Sequence, residues 1–165
     1  MNNIYLIGFM GAGKTTVGKI AAELCNMRFV DTDDMIVEKK GMSIPEIFDS
    51  EGEEAFRRIE TEVIKSLGDE SRLIVSCGGG AAANEVNVPL LKQGGRVVYL
   101  KTSPRKVFER VGESDNRPLL NGRRSVSGIE ELMLKRIPKY ERAADIIIDT
   151  DDKSPEEIAK LLFDL

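Results

Sequence analysis

Histidine and tryptophan are absent from this 165-residue chain, and cysteine occurs only twice. The missing histidine excludes Ser–His and Cys–His hydrolases, H-E-x-x-H metalloproteases and most zinc enzymes. Any general base must be a carboxylate, a lysine, a tyrosine or a cysteine. Cys25 and Cys77 form no C-x-x-C pair, so neither a zinc site nor a redox couple is indicated. Both stand in apolar surroundings and are expected as reduced core residues. A basic excess is also missing. The 24 Lys and Arg against 28 Asp and Glu leave a net charge of −4, which speaks against binding nucleic acid. No apolar run approaches the roughly 18 residues that suggest a membrane span. The first lysine is Lys14, after the opening apolar segment, so the basic start of a signal peptide is not seen. The expectation is one soluble, intracellular domain over residues 1–165, with no nucleic-acid or membrane partner. A chain of this length buries roughly 68–70% of its unfolded surface, enough for a full core.

What is present is an alternation of short apolar runs with helical stretches. Strands are expected at Ile4–Ile7, Arg28–Val30, Leu73–Ser76, Arg96–Leu100 and Asp145–Ile148. Their Val, Ile and Leu do not alternate strictly with polar residues, as parallel strands covered on both faces would not. Ser43, Ser127 and Ser154 each precede a glutamate by three residues and predict capping boxes. Ser103-Pro104 reads as an N-cap with proline at the first helical position. Gly68 and Gly94-Gly95 mark helix ends. The pattern predicts a three-layer α/β/α sandwich around a parallel sheet. Two segments exceed a simple crossover: some forty residues between the second and third strands, and a Gly-, Asn- and Arg-rich stretch at about 112–124. Such insertions in small α/β enzymes hold a second substrate or form a lid.

The segment Gly8-Phe9-Met10-Gly11-Ala12-Gly13-Lys14-Thr15 fits G-x-x-x-x-G-K-[ST], between an apolar strand and a helix over Lys14–Leu24. Its glycines let backbone N–H groups curl around a phosphate, and the helix N-terminus adds partial positive charge. Lys14 can bridge the β- and γ-phosphates, and the Thr15 hydroxyl can ligate Mg²⁺. A plain glycine turn would explain the glycines but not Lys14 and Thr15.

Several features sort among phosphate-loop proteins. No N-K-x-D for guanine is present, and Asp49-Ser50-Glu51-Gly52 falls at a helix end rather than after a strand. The third strand ends in serine where a motor ATPase would carry a carboxylate. Asp31 and Asp33 stand two apart at the carboxyl end of the second strand, where open α/β sheets bind ligands. They suit either a metal and an acceptor hydroxyl or, more plainly, a solvated acidic helix start. Arg57 in Phe56-Arg57-Arg58-Ile59-Glu60 reads as a ligand arginine or a solvated one, and Arg136 is equally open. Gly78-Gly79-Gly80 allows close approach of backbone to a ligand or serves as a flexible link. The rivals are a small-molecule kinase, including one for gluconate or a nucleoside monophosphate, and a silent nucleotide-binding module.

Taken in order, G-F-M-G-A-G-K-T-T, D-T-D, F-R-R-I-E, G-G-G, R-P-L-L and R-x-P-x-Y resemble the shikimate kinase family over essentially the whole chain. The resemblance implies a five-stranded parallel sheet in order 2-3-1-4-5, a substrate-binding insertion at about 31–60 and a lid at about 112–124. It implies ATP-dependent phosphorylation of the 3-hydroxyl of shikimate, on the route to chorismate and the aromatic amino acids. Gly11, Ala12, Gly13, Lys14, Thr15 and Thr16 would wrap the ATP phosphates, with Arg110 and Lys153 near the adenine. Thr15 and Asp31 would serve Mg²⁺. Asp33 would bind shikimate hydroxyls and act as base, with Lys14 and Arg117 as the other catalytic residues. Arg57 and Arg136 would clamp the carboxylate, Gly79 and Gly80 would offer backbone, and Phe48 and Phe56 would wall the ring. Arg117 would come onto the phosphates with the lid. The family also implies a monomer in a bacterial cytoplasm.

Overall fold

The computed structural model describes residues 2–111 and 126–165. The expected lid at about 112–124, with Arg117, lies outside the described residues. The chain runs β1 (Asn3–Ile7), α1 (Lys14–Cys25), β2 (Arg28–Asp31), α2 (Thr32–Lys40), α3 (Ile44–Leu67) and β3 (Leu73–Ser76). It continues α4 (Asn87–Gly94), β4 (Gly95–Lys101), α5 (Pro104–Val111), α6 (Val126–Ala143), β5 (Ile146–Asp149) and α7 (Pro155–Phe163).

All four strand pairings are parallel, and the strand order is β2-β3-β1-β4-β5. Successive side chains of a strand face opposite sides of the sheet. Tyr5, Ile7, Leu73, Val75, Val97 and Tyr99 therefore meet α3, α4 and α6 on one side. Ile4, Leu6, Ile74, Val98 and Leu100 meet α1 and α7 on the other. Both faces of the central strands are dry, which is why their apolar residues show no alternation in the sequence. The edge strands depart from that expectation: β2 is half-buried, and Ile147 on β5 is 50% exposed.

This strand order positions the site. From β1 the chain turns one way, through α1 to β2. From β3 it goes the other way, over β1 to β4. Adjacent strands whose connections diverge leave a crevice at their carboxyl ends. The loops after β1 and β3, which are the phosphate loop and the triple glycine, flank that crevice. The Cys77 N–H donates to the Leu6 carbonyl at 3.0 Å and extends the β1–β3 pairing to its edge.

The helix signals fare unequally. Ser154 makes the full reciprocal capping box with Glu157. Ser43 accepts from the Glu46 N–H, and Ser103 from the Lys106 N–H. The described part of α6 begins at Val126, so the start of that helix, where Ser127 is expected as a cap, borders residues outside the described ones. The segment Asp49–Gly52 does lie at a break: Gly52, at φ 86°, interrupts α3. Helix α3 ends at Leu67 with Gly68 as its C-cap, as the sequence expects, and Val63, Ile64 and Leu67 continue its buried stripe to that end. Cys77 is buried as expected, whereas Cys25, at the end of α1, is only partly so.

Candidate active site

The phosphate loop leads directly into α1. Gly13 caps that helix at φ 88°, a left-handed conformation that suits glycine. No side chain caps α1 among the described residues, so its first N–H groups form an anion-binding end. Lys14 is buried and reaches back over the loop, its Nζ donating to the carbonyls of Gly8 at 2.7 Å and Phe9 at 3.0 Å. Ala12 is buried beneath the loop. From α5, Arg110 donates to the Gly11 carbonyl at 2.9 Å, which places its guanidinium against the same loop.

Beside it, Asp31 ends β2 and starts α2. One of its oxygens accepts from the Asp33 N–H at 2.9 Å and the Asp34 N–H at 3.2 Å. The other accepts from the Thr15 hydroxyl at 3.1 Å. Asp31 is thus both the cap of an acidic helix start and a neighbour of the phosphate loop, so the two readings of the sequence describe one geometry. A threonine hydroxyl and a carboxylate are hard oxygen donors, as Mg²⁺ prefers. No cluster of three or more metal-binding side chains occurs among the described residues.

Opposite stand the groups of α3, α6 and the triple glycine. A Cβ on Gly78 would come within 2.7 Å of an Asp33 oxygen and 3.0 Å of a Glu60 oxygen, so a side chain there would push both carboxylates from their places. The Gly78 N–H donates to the Thr32 hydroxyl at 2.9 Å, tying this loop to the Asp31–Asp33 turn. Arg57 pairs with Glu60 at 2.9 Å and lies against the Phe56 ring. Phe56 in turn packs on Phe48 across the Gly52 break, centroids 5.0 Å apart. Arg136 is only 9% exposed and lies over the Phe9 ring. Its Nη1 has no hydrogen-bond partner among the described residues and would be 3.4 Å from a Cβ on Gly79. Tyr140, one turn further along α6, donates from its hydroxyl to the Gly79 carbonyl.

Both halves line one cavity of about 400 Å³. Its wall includes Gly11, Gly13, Lys14, Thr15, Thr16, Asp31 and Asp33 on one side, and Phe48, Phe56, Arg57, Gly79, Gly80 and Arg136 on the other. Lys153 is not among them and pairs with Asp152 at 3.2 Å. Glu60 also lines the cavity and is 1% exposed. Burial pushes its carboxyl above the usual range, with Asp33 adding to the rise and Arg57 and Arg136 opposing it. The sequence reading quotes Glu60 and Tyr140 within motifs but assigns neither a role. Their spacing from the arginines, three residues after Arg57 and four after Arg136, is the signal that one helix face holds each pair. Thr32 and the buried Asn87, which donates to the Ala81 carbonyl at 2.9 Å, were marked by nothing comparable.

A nucleotide-phosphate cradle therefore faces a small cationic chamber across a carboxylate. Known proteins share this arrangement. The family model for shikimate kinase matches residues 10–165. The shikimate kinase of Thermodesulfovibrio yellowstonii is 44% identical over 160 residues, covering 97% of this chain and 92% of that protein. That of Sulfurihydrogenibium is 45% identical over 160 residues, with 97% and 95% covered. Among solved structures, the Acinetobacter baumannii shikimate kinase in complex with shikimate superposes with a TM-score of 0.94. It is 40% identical, covering 98% of this chain and 90% of that one. Motif, topology and full-length similarity agree, and the chain belongs to the shikimate kinase family.

Proposed function

We infer that this protein transfers the γ-phosphoryl group of ATP to the 3-hydroxyl of shikimate, yielding shikimate 3-phosphate and ADP. The observation that carries the reading is the meeting of Asp33, Arg57 and Arg136 beside the phosphate loop in one cavity. Shikimate is a small carboxylate with three hydroxyls. Two guanidiniums suit its carboxylate, and an ionised aspartate suits its hydroxyls.

In this reading Arg136 meets the carboxylate with its unpartnered Nη1, and Arg57, oriented by Glu60, closes the other side. Gly79 and Gly80 supply backbone contact, and Phe48 and Phe56 exclude water from the ring face. Asp33 accepts the proton of the attacking hydroxyl. Gly11 to Thr16 and Lys14 hold the phosphates, and Arg110 stands where it can meet the nucleotide. Lys153 has no such support from the geometry. Thr15 and Asp31 would hold Mg²⁺, which neutralises charge on the β- and γ-phosphates when bound. Phosphoryl transfer depends chiefly on positioning and charge neutralisation, so the lack of histidine is no obstacle. The role that the family resemblance implies for Arg117 rests on that resemblance alone.

The same reading implies one functional domain, a monomeric enzyme of the cytoplasm, and no nucleic-acid or membrane partner. No helix among the described residues is long and apolar enough to cross a membrane. A coupled ADP-release assay with shikimate, gluconate and AMP side by side tests the substrate. Turnover with shikimate alone is expected; preference for either rival would overturn the reading.

A further inference from the structure

Tyr140 is buried, 1% exposed, and does not line the cavity. Its ring packs on Tyr99 with centroids 5.1 Å apart, so its place in α6 is set by the core. Its hydroxyl nevertheless leaves that core and donates to the carbonyl of Gly79, a cavity residue 61 positions away in sequence. Burial raises the Tyr140 pKa, while Arg136 beside it opposes the rise, and the phenol stays a donor at neutral pH. A trans peptide points its C=O and the following N–H in opposite directions. With the Gly79 carbonyl held by Tyr140, the orientation of the Gly79–Gly80 peptide is fixed, and both glycines line the cavity.

One helix therefore presents two groups to one loop. Arg136 sets its Nη1 beside Gly79, and Tyr140, a turn later, grips the carbonyl of that same residue. Glycines do not hold a geometry by themselves, since their backbone is the most permissive. We propose that Tyr140 is a positioning residue for the acid substrate, its phenol holding the Gly79 peptide at the spacing from Arg136 that the carboxylate and ring require. The proposal rests on the reading of this cavity as a shikimate site. Tyr140 does not touch substrate, and its effect is expected chiefly on the acid substrate, because the peptide it holds lies beside Arg136, although Gly79 also approaches the phosphate-loop backbone at Met10.

Tyr140→Phe keeps the ring and removes the donor. Its KM for shikimate is expected to rise about 5- to 50-fold, the effect of leaving a buried carbonyl unpaired in a site that must stay ordered. The KM for ATP and kcat should stay within roughly threefold of the parent. Tyr99→Phe, which removes a phenol from the same aromatic pair, should leave both KM values unchanged. A shikimate KM equal to the parent's in folded Tyr140→Phe overturns the proposal, as does a parallel change in both KM values. If Tyr140→Phe does not fold, 3,5-difluorotyrosine installed at position 140 keeps the ring and makes the phenol more acidic. The charged groups facing that phenol are Arg136, Arg57 and Glu60, with Tyr99 alongside, and the exchange alters none of them. Relative to the parent at each pH, its shikimate KM should climb as the phenol ionises; a flat ratio overturns the proposal. A parent enzyme that fails to phosphorylate shikimate overturns the substrate reading and the proposal with it. A parent that succeeds while the variants match it overturns the proposal alone.

Discussion

Asp33 and Glu60 both border Gly78, yet their surroundings ask different things of them. Asp33 lines the cavity together with the phosphate loop, and on the proposed reading its replacement by asparagine keeps the shape while removing the proton acceptor. Turnover should fall by about 10²- to 10⁴-fold with nucleotide affinity nearly intact, a combination that calorimetry and single-turnover kinetics would resolve. Glu60 is buried behind Arg57, and burial outweighs its cationic neighbours in raising its pKa. A raised carboxyl binds more protons in the folded state than in the unfolded one. Its stabilising contribution is complete below the unfolded pKa and is lost as pH rises through the folded one. Urea unfolding should therefore show the parent losing stability relative to Glu60→Gln as pH climbs above about 4.3. The opposite slope would mean that the Arg57 charge dominates. Asp33's place at a ligand was legible as one of two readings of its position after the second strand, whereas Glu60's was not, since an F-R-R-I-E run looks the same on a solvated helix. What separates the cases is burial, and burial belongs to the partner elements.

At the scale of elements, α3 is the least regular piece of the fold and the one that carries Arg57. Its first part, capped by Ser43, holds Phe48; its second holds Phe56 and Arg57; Gly52 at φ 86° turns one into the other. A Cβ on Gly52 would meet nothing within 4 Å, so the only obstacle to a side chain is backbone conformation. Gly52→Ala should cost about 1–3 kcal/mol, because φ 86° with ψ 167° is a backbone region essentially restricted to glycine. Denaturant titration would measure it. A loss near zero would show that the break relaxes into continuous helix, with the Phe48–Phe56 contact displaced. The sequence marked a helix end here through Asp-Ser-Glu-Gly but could not show that a second helix resumes at once. Caps were readable where Ser and Glu stand three apart at a real boundary, as at Ser154. A local pattern reports what a backbone can satisfy, not what the chain does beyond the break.

Across the whole molecule, the two cysteines sample different depths of the fold. Cys77 sits at the end of β3 under the cavity, where burial pushes its thiol well above the ordinary range. Cys25, at the end of α1, is only partly buried and its pKa is raised less far by the same cause. Thiol labelling should modify Cys25 in the native protein. Cys77 should react only at the rate of unfolding, and ligands that stabilise the fold should slow it further. Fast native labelling of Cys77 would mean that the β3 edge opens without global unfolding. The one-dimensional string determined the phosphate loop, the number and approximate bounds of the strands, the α/β class and, through its ordered motifs, the family. Those are consequences of local chemistry: hydrophobic period, glycine conformation and cap spacing act within a few residues. Only the tertiary structure decided which charges are buried, that Glu60 backs Arg57, that Arg136 keeps an unpartnered N–H, and that Tyr140 reaches Gly79. Each of these joins segments, or surrounds a side chain with groups, that only the parallel sheet and its packed helices bring within hydrogen-bond range.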